Sequence, residues 1–371
     1  MIASANLQSP ISSLQSLNIT RAEMERAFYN KDASYDGVFF VAVRTTGIFC
    51  LPSCSASPKR ENVEFFLSAR EAIFAGYRPC KRCHPLDVNG APPRWAKTLM
   101  ERVEKNPDEK ITAREMANIG VTPERARRWF LDHYGMTFAE WQRGKRLAEA
   151  FTQIRNGSPL DDVVFANGYE SHSGFRDAFS KTFGAAPMRA RHTVAANDGY
   201  IAAQFIESPL GPILAAATRD AICFLEFSDR RMLEYNYNQI RKRFGLPILP
   251  TTNDALEQLR AELNCYFQGK QKNFTTRLAM NGTPFQERVW NELQEIPHGE
   301  TISYEQLAQR IQQPTAVRAV ARANGSNRIS IIVPCHRVIG KDGELTGYGG
   351  GLWRKRLLLE LERTGHLPGD N

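Results

Sequence analysis

Four of the seven cysteines fall within 34 residues, as Cys50-x3-Cys54 and Cys80-x2-Cys83 with 25 residues between the pairs. Two short chelating pairs of soft ligands are the arrangement that tetrahedral zinc prefers. Four unrelated buried thiols would not explain two close pairs, whereas a closed structural zinc knuckle would, with no chemistry attached. A second constellation is Pro334-Cys335-His336-Arg337, which follows the apolar, β-rich run Ile329–Val333 and places a thiol with a base beside it. Cys223 and Cys265 sit in apolar sequence without a neighbouring base and read as core. An odd, clustered set of cysteines in a long chain is metal or reactive-thiol usage, not a disulfide framework.

The elements that must carry these groups divide the chain. Its 371 residues, 42% hydrophobic and 24% charged, suit roughly two to four globular domains and exclude a fibrous, collagenous or wholly disordered protein. The formal net charge of +8 suits an anionic partner, and the stretch 94–192 is the most basic, with 17 basic against 13 acidic residues. The first twenty residues lack a basic start followed by an apolar run, and no stretch of about 18 apolar residues occurs, so a cytoplasmic protein without a membrane partner is expected. A short β-like run, Val38–Val43, precedes the cysteines, and the breaker cluster Asn89-Gly90-Ala91-Pro92-Pro93 closes that segment.

From Arg94 to about His192 the pattern is helical, with Leu99, Val103, Leu147, Phe151, Phe175, Phe179 and Phe183 at core spacings. Ala117-Asn118, Phe130 and Gly135 recur at an offset of 49 as Ala166-Asn167, Phe179 and Gly184, which predicts two copies of one helical unit. In the first copy Thr122 caps a helix with Pro123 in its first turn, after a Gly-containing turn, a helix-turn-helix pattern. Arg127 and Arg128 in the first recognition helix, and Ser173 and Arg176 in the second, are the outward candidates for DNA contacts. Strand signals return at Tyr200–Ile206 and Ile213–Phe227, then helices near 229–244, 254–268, 284–295, 303–311 and 315–323.

Three stretches also resemble known families. Arg44-Thr45-Thr46-Gly47-Ile48-Phe49-Cys50-x-Pro52-Ser53-Cys54, Arg60-Glu61-Asn62-Val63 and Gly76-Tyr77-Arg78-Pro79-Cys80-Lys81-Arg82-Cys83 resemble the amino-terminal domain of the Ada family of methylated-DNA repair and adaptive-response regulators. That likeness implies one zinc ion on Cys50, Cys54, Cys80 and Cys83, with Cys50 also accepting methyl from DNA methylphosphotriesters. Thr46, Lys59, Arg60 and Arg78, with Lys81 and Arg82, are then expected to face DNA. Zinc with four thiolates carries a formal −2 and keeps a sulfur nucleophilic; methylation leaves −1 and lowers repulsion from phosphate, so repair would strengthen the DNA grip. Ser55–Pro58 departs from the family pattern, being one residue shorter and lacking a basic residue.

Gly174-Phe175-x3-Phe179-x3-Phe183-Gly184-x2-Pro187-x3-Arg191 resembles the AraC-type transcription regulators. Residues 284–366, with Asn327, Pro334-Cys335-His336-Arg337-Val338-Ile339, Gly347-Tyr348-Gly349-Gly350 and Glu362, are similar to the O6-alkylguanine-DNA alkyltransferases. The likeness implies that Cys335 accepts the methyl group, His336 is its base through a water, and Glu362 orients His336. Asn327 would be the hinge to the active-site loop, Tyr304 the residue that helps rotate the nucleotide and protonate the leaving guanine, and Arg318 the filler of the vacated stack. Ala319, Ala321 and Ala323 would let the Arg318 helix lie close to the DNA backbone.

The order of the three is that of the Ada family across almost the full chain. The expected architecture is multidomain α+β: a small zinc-binding α/β domain (22–92), an all-α AraC-type domain with two helix-turn-helix motifs (94–192), a ribonuclease-H-like α+β subdomain (198–280) and a winged-helix-like alkyltransferase domain (284–366). The expected function is single-turnover methyl transfer from O6-methylguanine and O4-methylthymine to Cys335 and from methylphosphotriesters to Cys50, the latter switching on promoter binding and transcription regulation. Methylated double-stranded DNA, promoter DNA and RNA polymerase are the expected partners of a monomer, bacterial and nucleoid-associated when DNA-bound. The rival is an AraC-type regulator whose zinc is structural and whose Cys50 accepts nothing.

Overall fold

The computed structural model describes residues 19–86, 92–107, 109, 111–134, 136–183, 186–188, 199–230 and 233–368. The first 18 residues, Asn89, Gly90 and Ala91 of the breaker cluster, and Gly135, Gly184 and Arg191 of the repeat and its ending lie outside them. The architecture is multidomain α+β.

The first unit begins with α1 (Arg21–Tyr29), capped by the Thr20 hydroxyl, and a four-stranded sheet: β1 (Phe40–Val43), β2 (Ile48–Cys50), β3 (Val63–Phe66) and β4 (Arg78–Pro79) in the order β3-β1-β2-β4. Helix α2 (Ala69–Phe74) follows β3. The run around β1 is continuously apolar because it is covered on both faces. Phe39 and Val41 pack with Phe28 and Val63, while Phe40 and Ala42 pack with Phe49, Leu51 and Ala72.

Among the described residues six helices follow: α3 (Arg94–Lys105), α4 (Ala113–Asn118), α5 (Pro123–Tyr134), α6 (Phe138–Arg155), α7 (Leu160–Ala166) and α8 (His172–Phe183). The pairs α4–α5 and α7–α8 are the two copies that the 49-residue offset predicts. Each turns on a left-handed glycine, Gly120 (φ 84°) and Gly168 (φ 69°), a conformation that a side chain disfavours. Capping boxes at Thr112/Glu115 and Thr137/Glu140 start α4 and α6. Helix α6 joins two cores, Leu99, Val103, Phe130 and Trp141 on one side and Leu147, Phe151, Phe175 and Phe179 on the other.

The last part opens with the sheet order β7-β6-β5-β8, from β5 (Ile201–Ile206), β6 (Ile213–Ala217), β7 (Ile222–Phe227) and β8 (Ile248–Leu249), with α9 (Leu233–Phe244) and α10 (Asp254–Phe267). The single strand signal over 213–227 is two antiparallel strands, reversed where Thr218 N–H donates to Ala221 O at 3.0 Å. Then come α11 (Pro284–Gln294), β9 (Ile302–Ser303), α12 (Tyr304–Arg310), α13 (Val317–Gly325), β10 (Val338–Ile339), parallel to β9, and α14 (Leu352–Thr364).

The run Ile329–Val333 is not the strand its β-branched residues suggest. Only Ile329 bridges to Leu225, and the chain then turns, with Ile331 at φ 73°, a strained value for a β-branched residue. Asn327 imposes the turn: its Oδ1 accepts from Ile329 N–H (2.9 Å) and its Nδ2 donates to Val333 O (2.8 Å). Local propensity for an extended chain therefore loses to a side-chain-capped loop.

The units pack against one another. Trp353 Nε1 in α14 donates to Ser34 O (2.6 Å), Arg356 pairs with Glu23 (3.0 Å), and the Tyr134 and Phe205 rings meet edge-on at 4.7 Å. Among the described residues no helix is long and apolar enough to cross a membrane.

Candidate active site and metal centre

Cys335 begins a single turn of 3-10 helix, Cys335–Arg337, directly after the Asn327-capped loop. The thiol is buried, and Asn327 Nδ2 donates to its Sγ at 3.2 Å. Burial pushes the thiol above its ordinary pKa and the Asn327 hydrogen bond opposes that, so a base is needed to make the thiolate.

His336 is fully buried, with Nε2 2.8 Å from Glu362 Oε1. Glu362 reaches this point from α14 and also accepts from Tyr266 Oη (2.8 Å), Arg337 Nε (2.8 Å), Arg337 Nη2 (3.0 Å) and Gly299 N–H (3.1 Å). Burial by itself would raise the Glu362 carboxyl, but His336 and Arg337 outweigh it and hold the group well below the usual carboxylate range. Burial lowers His336 against the pull of Glu362, so the imidazole is neutral near pH 7. An ionised carboxylate at Nε2 assigns the proton to that nitrogen. Nδ1, buried and without a hydrogen-bond partner among the described residues, then carries the basic lone pair.

Glu362→Gln is expected to destabilise the fold by about 3–5 kcal/mol, because Arg337 and His336 stay buried beside a neutral partner. Folding lowers the carboxyl below its ordinary 4.5, so its contribution is full above that pH and fades as pH falls toward the folded value. Denaturant unfolding of both proteins should show a gap at neutral pH that narrows in acid. A gap independent of pH would mean that the loss is one of shape, not charge.

Tyr304 and exposed Arg318 line a groove of about 620 Å³ with Val317, Ala321, Lys341 and Thr346. Tyr304 Oη donates weakly to Thr346 O at 3.4 Å. Ala319 is exposed and Ala321 half-buried, but Ala323 faces the core, which corrects its expected place on the DNA side: the 3.6-residue period carries it inward beside Trp290, whose Nε1 donates to Ala323 O at 2.8 Å. Cys223 is buried as expected; Cys265 is only half-buried, because it lies at the edge of the α10 core stripe formed by Leu259, Leu263 and Tyr266.

The four clustered cysteines are brought together by the parallel pairing of β2 with β4, which sets Cys50 at the end of one strand beside Cys80 just past the other. Cys80 N–H donates to Phe49 O at 2.9 Å, and tight turns carry Cys54 and Cys83 back. The four sulfurs lie within 4.8 Å of one another. A tetrahedral ion at Zn–S of about 2.3 Å needs sulfurs about 3.8 Å apart, so the donor set and its spacing fit one zinc ion. Thr46, Arg78, Lys81 and Arg82 line the adjoining cleft of about 640 Å³. Lys59 and Arg60 are exposed but do not line it; Arg60 stacks on the Tyr29 ring at 5.0 Å. At the rim, Arg82 donates to Ser55 Oγ (2.9 Å) and Lys31 to Ala56 O, so a lysine 25 residues upstream reaches the shortened 55–58 stretch.

Arg127 and Arg128 on α5, and Ser173 and Arg176 on α8, are exposed. Sequence reasoning gave no role to Arg337, Tyr266, Lys355 or Lys31. Lys355 is fully buried, donating to Val338 O and Thr346 O (2.6 Å each), and burial lowers its ammonium to about 8. Its signal was legible: Lys355 and Glu362 are charges seven residues apart, on the face of the helix that also carries Leu358.

A buried thiol beside a carboxylate-held imidazole, a four-cysteine metal centre and a double helix-turn-helix lie in one chain, the parts of a DNA-binding regulator joined to thiol chemistry. Family models match in the same order: the metal binding domain of Ada (23–86), a helix-turn-helix domain (116–193), and the ribonuclease-like (201–280) and DNA binding (284–364) domains of 6-O-methylguanine DNA methyltransferase. The bifunctional transcriptional activator/DNA repair enzyme Ada of Escherichia coli is 34% identical over 334 residues, 90% of this chain and 93% of the relative. The methylated-DNA–protein-cysteine methyltransferase of Mycobacterium bovis is 48% identical over 159 residues, 43% of this chain and 90% of its own. A crystal structure of the Mycobacterium tuberculosis enzyme OGT in complex with DNA is 42% identical, covering 46% of this chain and 96% of that one, with a TM-score of 0.39. The chain belongs to the Ada family.

Proposed function

We propose that this protein is a single-turnover DNA methyltransferase and transcription regulator, taking methyl from O6-methylguanine on Cys335 and from methylphosphotriesters on Cys50. The observation that carries the reading is the buried Asn327–Cys335 and His336–Glu362 arrangement in the same chain as four convergent thiols. At Cys335, the thiol proton passes to His336 Nδ1, by way of a water, while Glu362 stabilises the imidazolium that forms. Sulfur attacks the methyl carbon in line, the C–O6 bond breaks, and Tyr304 gives a proton to the leaving guanine, the proton held on His336 restoring the balance. The target base cannot meet the buried thiol while stacked, so it must be flipped out, and Arg318, exposed at the start of α13, fills the space.

At the other acceptor, Cys50, Cys54, Cys80 and Cys83 would hold zinc, which keeps the sulfurs as thiolates. Arg78, Lys81 and Arg82 bring the phosphate backbone to the cleft, and Lys31 supports the shortened stretch beside it. Methylation of Cys50 then relieves one negative charge facing DNA, and Arg127, Arg128, Ser173 and Arg176 read the promoter. Within this reading the four units are a zinc domain, an AraC-type domain, a ribonuclease-H-like subdomain and a winged-helix-like alkyltransferase domain, with the boundaries the sequence suggests. Intact-mass measurement after incubation with duplex DNA bearing both lesions tests the reading. Two added CH2 increments are expected, mapped to Cys335 and Cys50; a single increment at Cys335 favours the rival in which the zinc is structural.

Arg318→Ala is expected to slow transfer from duplex DNA about tenfold or more while leaving reaction with free O6-methylguanine near the unsubstituted rate, since filling a vacated stack matters only where a stack exists. Equal slowing on both substrates would assign Arg318 to general structure.

A further inference from the structure

We propose that Arg230, contributed by the unit that carries β5–β8, is a positioning residue that fixes Asn327 and through it the acceptor sulfur. Its guanidinium forms one planar fork across the end of α13: Nη1 donates to Asn327 O (3.0 Å) and Nη2 to Gly325 O (2.9 Å). Nη1 also meets Glu226, a fully buried carboxylate of β7 that accepts from Asn236 Nδ2 at 3.3 Å through each oxygen. The Arg230 side chain is only 10% exposed. From above, the Gly349 backbone closes on it so tightly that a Cβ there would lie 2.5–2.7 Å from the guanidinium.

The held carbonyl belongs to the residue whose side chain does the local work. Asn327 caps Ile329, ties Val333 and donates to Cys335 Sγ, so turning its peptide would swing all three contacts. Strand β7 grips the same loop by its backbone, with Leu225 N–H donating to Arg328 O (2.8 Å) and Ser330 N–H to Leu225 O (2.7 Å). A buried ion pair adds little net stability compared with an apolar replacement, but a rigid guanidinium fork can fix two carbonyls at once, which an ammonium cannot. The positive charge also favours the Cys335 thiolate, as does that of Lys355, while Glu226 opposes it.

This inference rests on Cys335 being the methyl acceptor. The test uses the full chain with Arg230→Gln, Arg230→Lys and Gly349→Ala, following single-turnover methyl transfer from O6-methylguanine duplex across pH. Arg230→Gln should slow transfer by up to about 10²-fold, the scale of a small misplacement of a reacting group, and move the rise of the pH profile upward. Arg230→Lys keeps the charge and should restore the position of the profile without restoring the full rate. Gly349→Ala displaces the fork and should slow transfer with the profile in place; it carries the test if the Arg230 variants do not fold. Transfer by folded variants at the normal rate and with an unmoved profile overturns the proposal. No transfer by the unsubstituted protein would instead overturn the acceptor reading itself.

Discussion

Full-length protein carrying Cys335→Ser is expected to take no measurable methyl from O6-methylguanine in duplex DNA while still accepting one at Cys50. The buried site is built around sulfur: Asn327 donates to Sγ at 3.2 Å, and neutral His336 has only to remove a thiol proton. A serine hydroxyl in the same place is far less acidic and a poorer nucleophile toward an alkyl carbon. The loss should therefore match removal of a covalent nucleophile, at least about 10⁴-fold. Cys50 lies in a separate unit with its own cleft, so its reaction should not change. Counting methyl transferred per protein from each lesion decides the matter; base repair at the normal rate in the variant would mean that another group is the acceptor.

Zinc removal should have the largest effect on the fold. Purified protein is expected to hold one zinc, and stripping it should unfold the unit around β1–β4 while leaving the helical and methyltransferase parts folded. The cysteine face of that unit is held by short strands, three residues in β2 and two in β4, and a small core, while its other face shares the large core with the methyltransferase part. A structural zinc typically supplies about 10–16 kcal/mol at neutral pH, more than such a core can replace. Because Trp353 donates to Ser34 O across the contact with this unit, the loss should expose the indole and red-shift its fluorescence. Metal analysis, far-ultraviolet circular dichroism and tryptophan emission before and after chelation test this together. A chelated protein with unchanged spectra would show that the cysteines are not what holds the unit.

Much of the site was written locally. Two cysteine pairs, the 49-residue repeat and Pro334-Cys335-His336-Arg337 are spacings along the chain, and spacing fixes which groups can close on one ion, share one helix face or sit in one turn. The left-handed glycines of the two helix turns and the Thr122 cap, whose Oγ1 accepts from Arg125 N–H at 3.2 Å, are of the same kind. Where propensity alone failed, a neighbouring side chain overruled it: Ile329–Val333 has every propensity to extend and instead turns, because the Asn327 side chain ties both its ends.

The sequence by itself determined the chemistry available: four soft ligands, one flanked thiol and two recognition helices. Only the tertiary structure decided which groups act on one another. The parallel match of β2 with β4 turns two cysteine pairs into one site. Helix α14 carries Glu362 back to His336, Arg337 and Tyr266. Arg230 crosses between units to Asn327 O, and Lys31 reaches across to Ala56. The physical reason is burial. A charged or polar group taken out of water must find its partner within hydrogen-bond reach wherever the chain brings one, and that choice depends on packing, which no spacing along the sequence encodes.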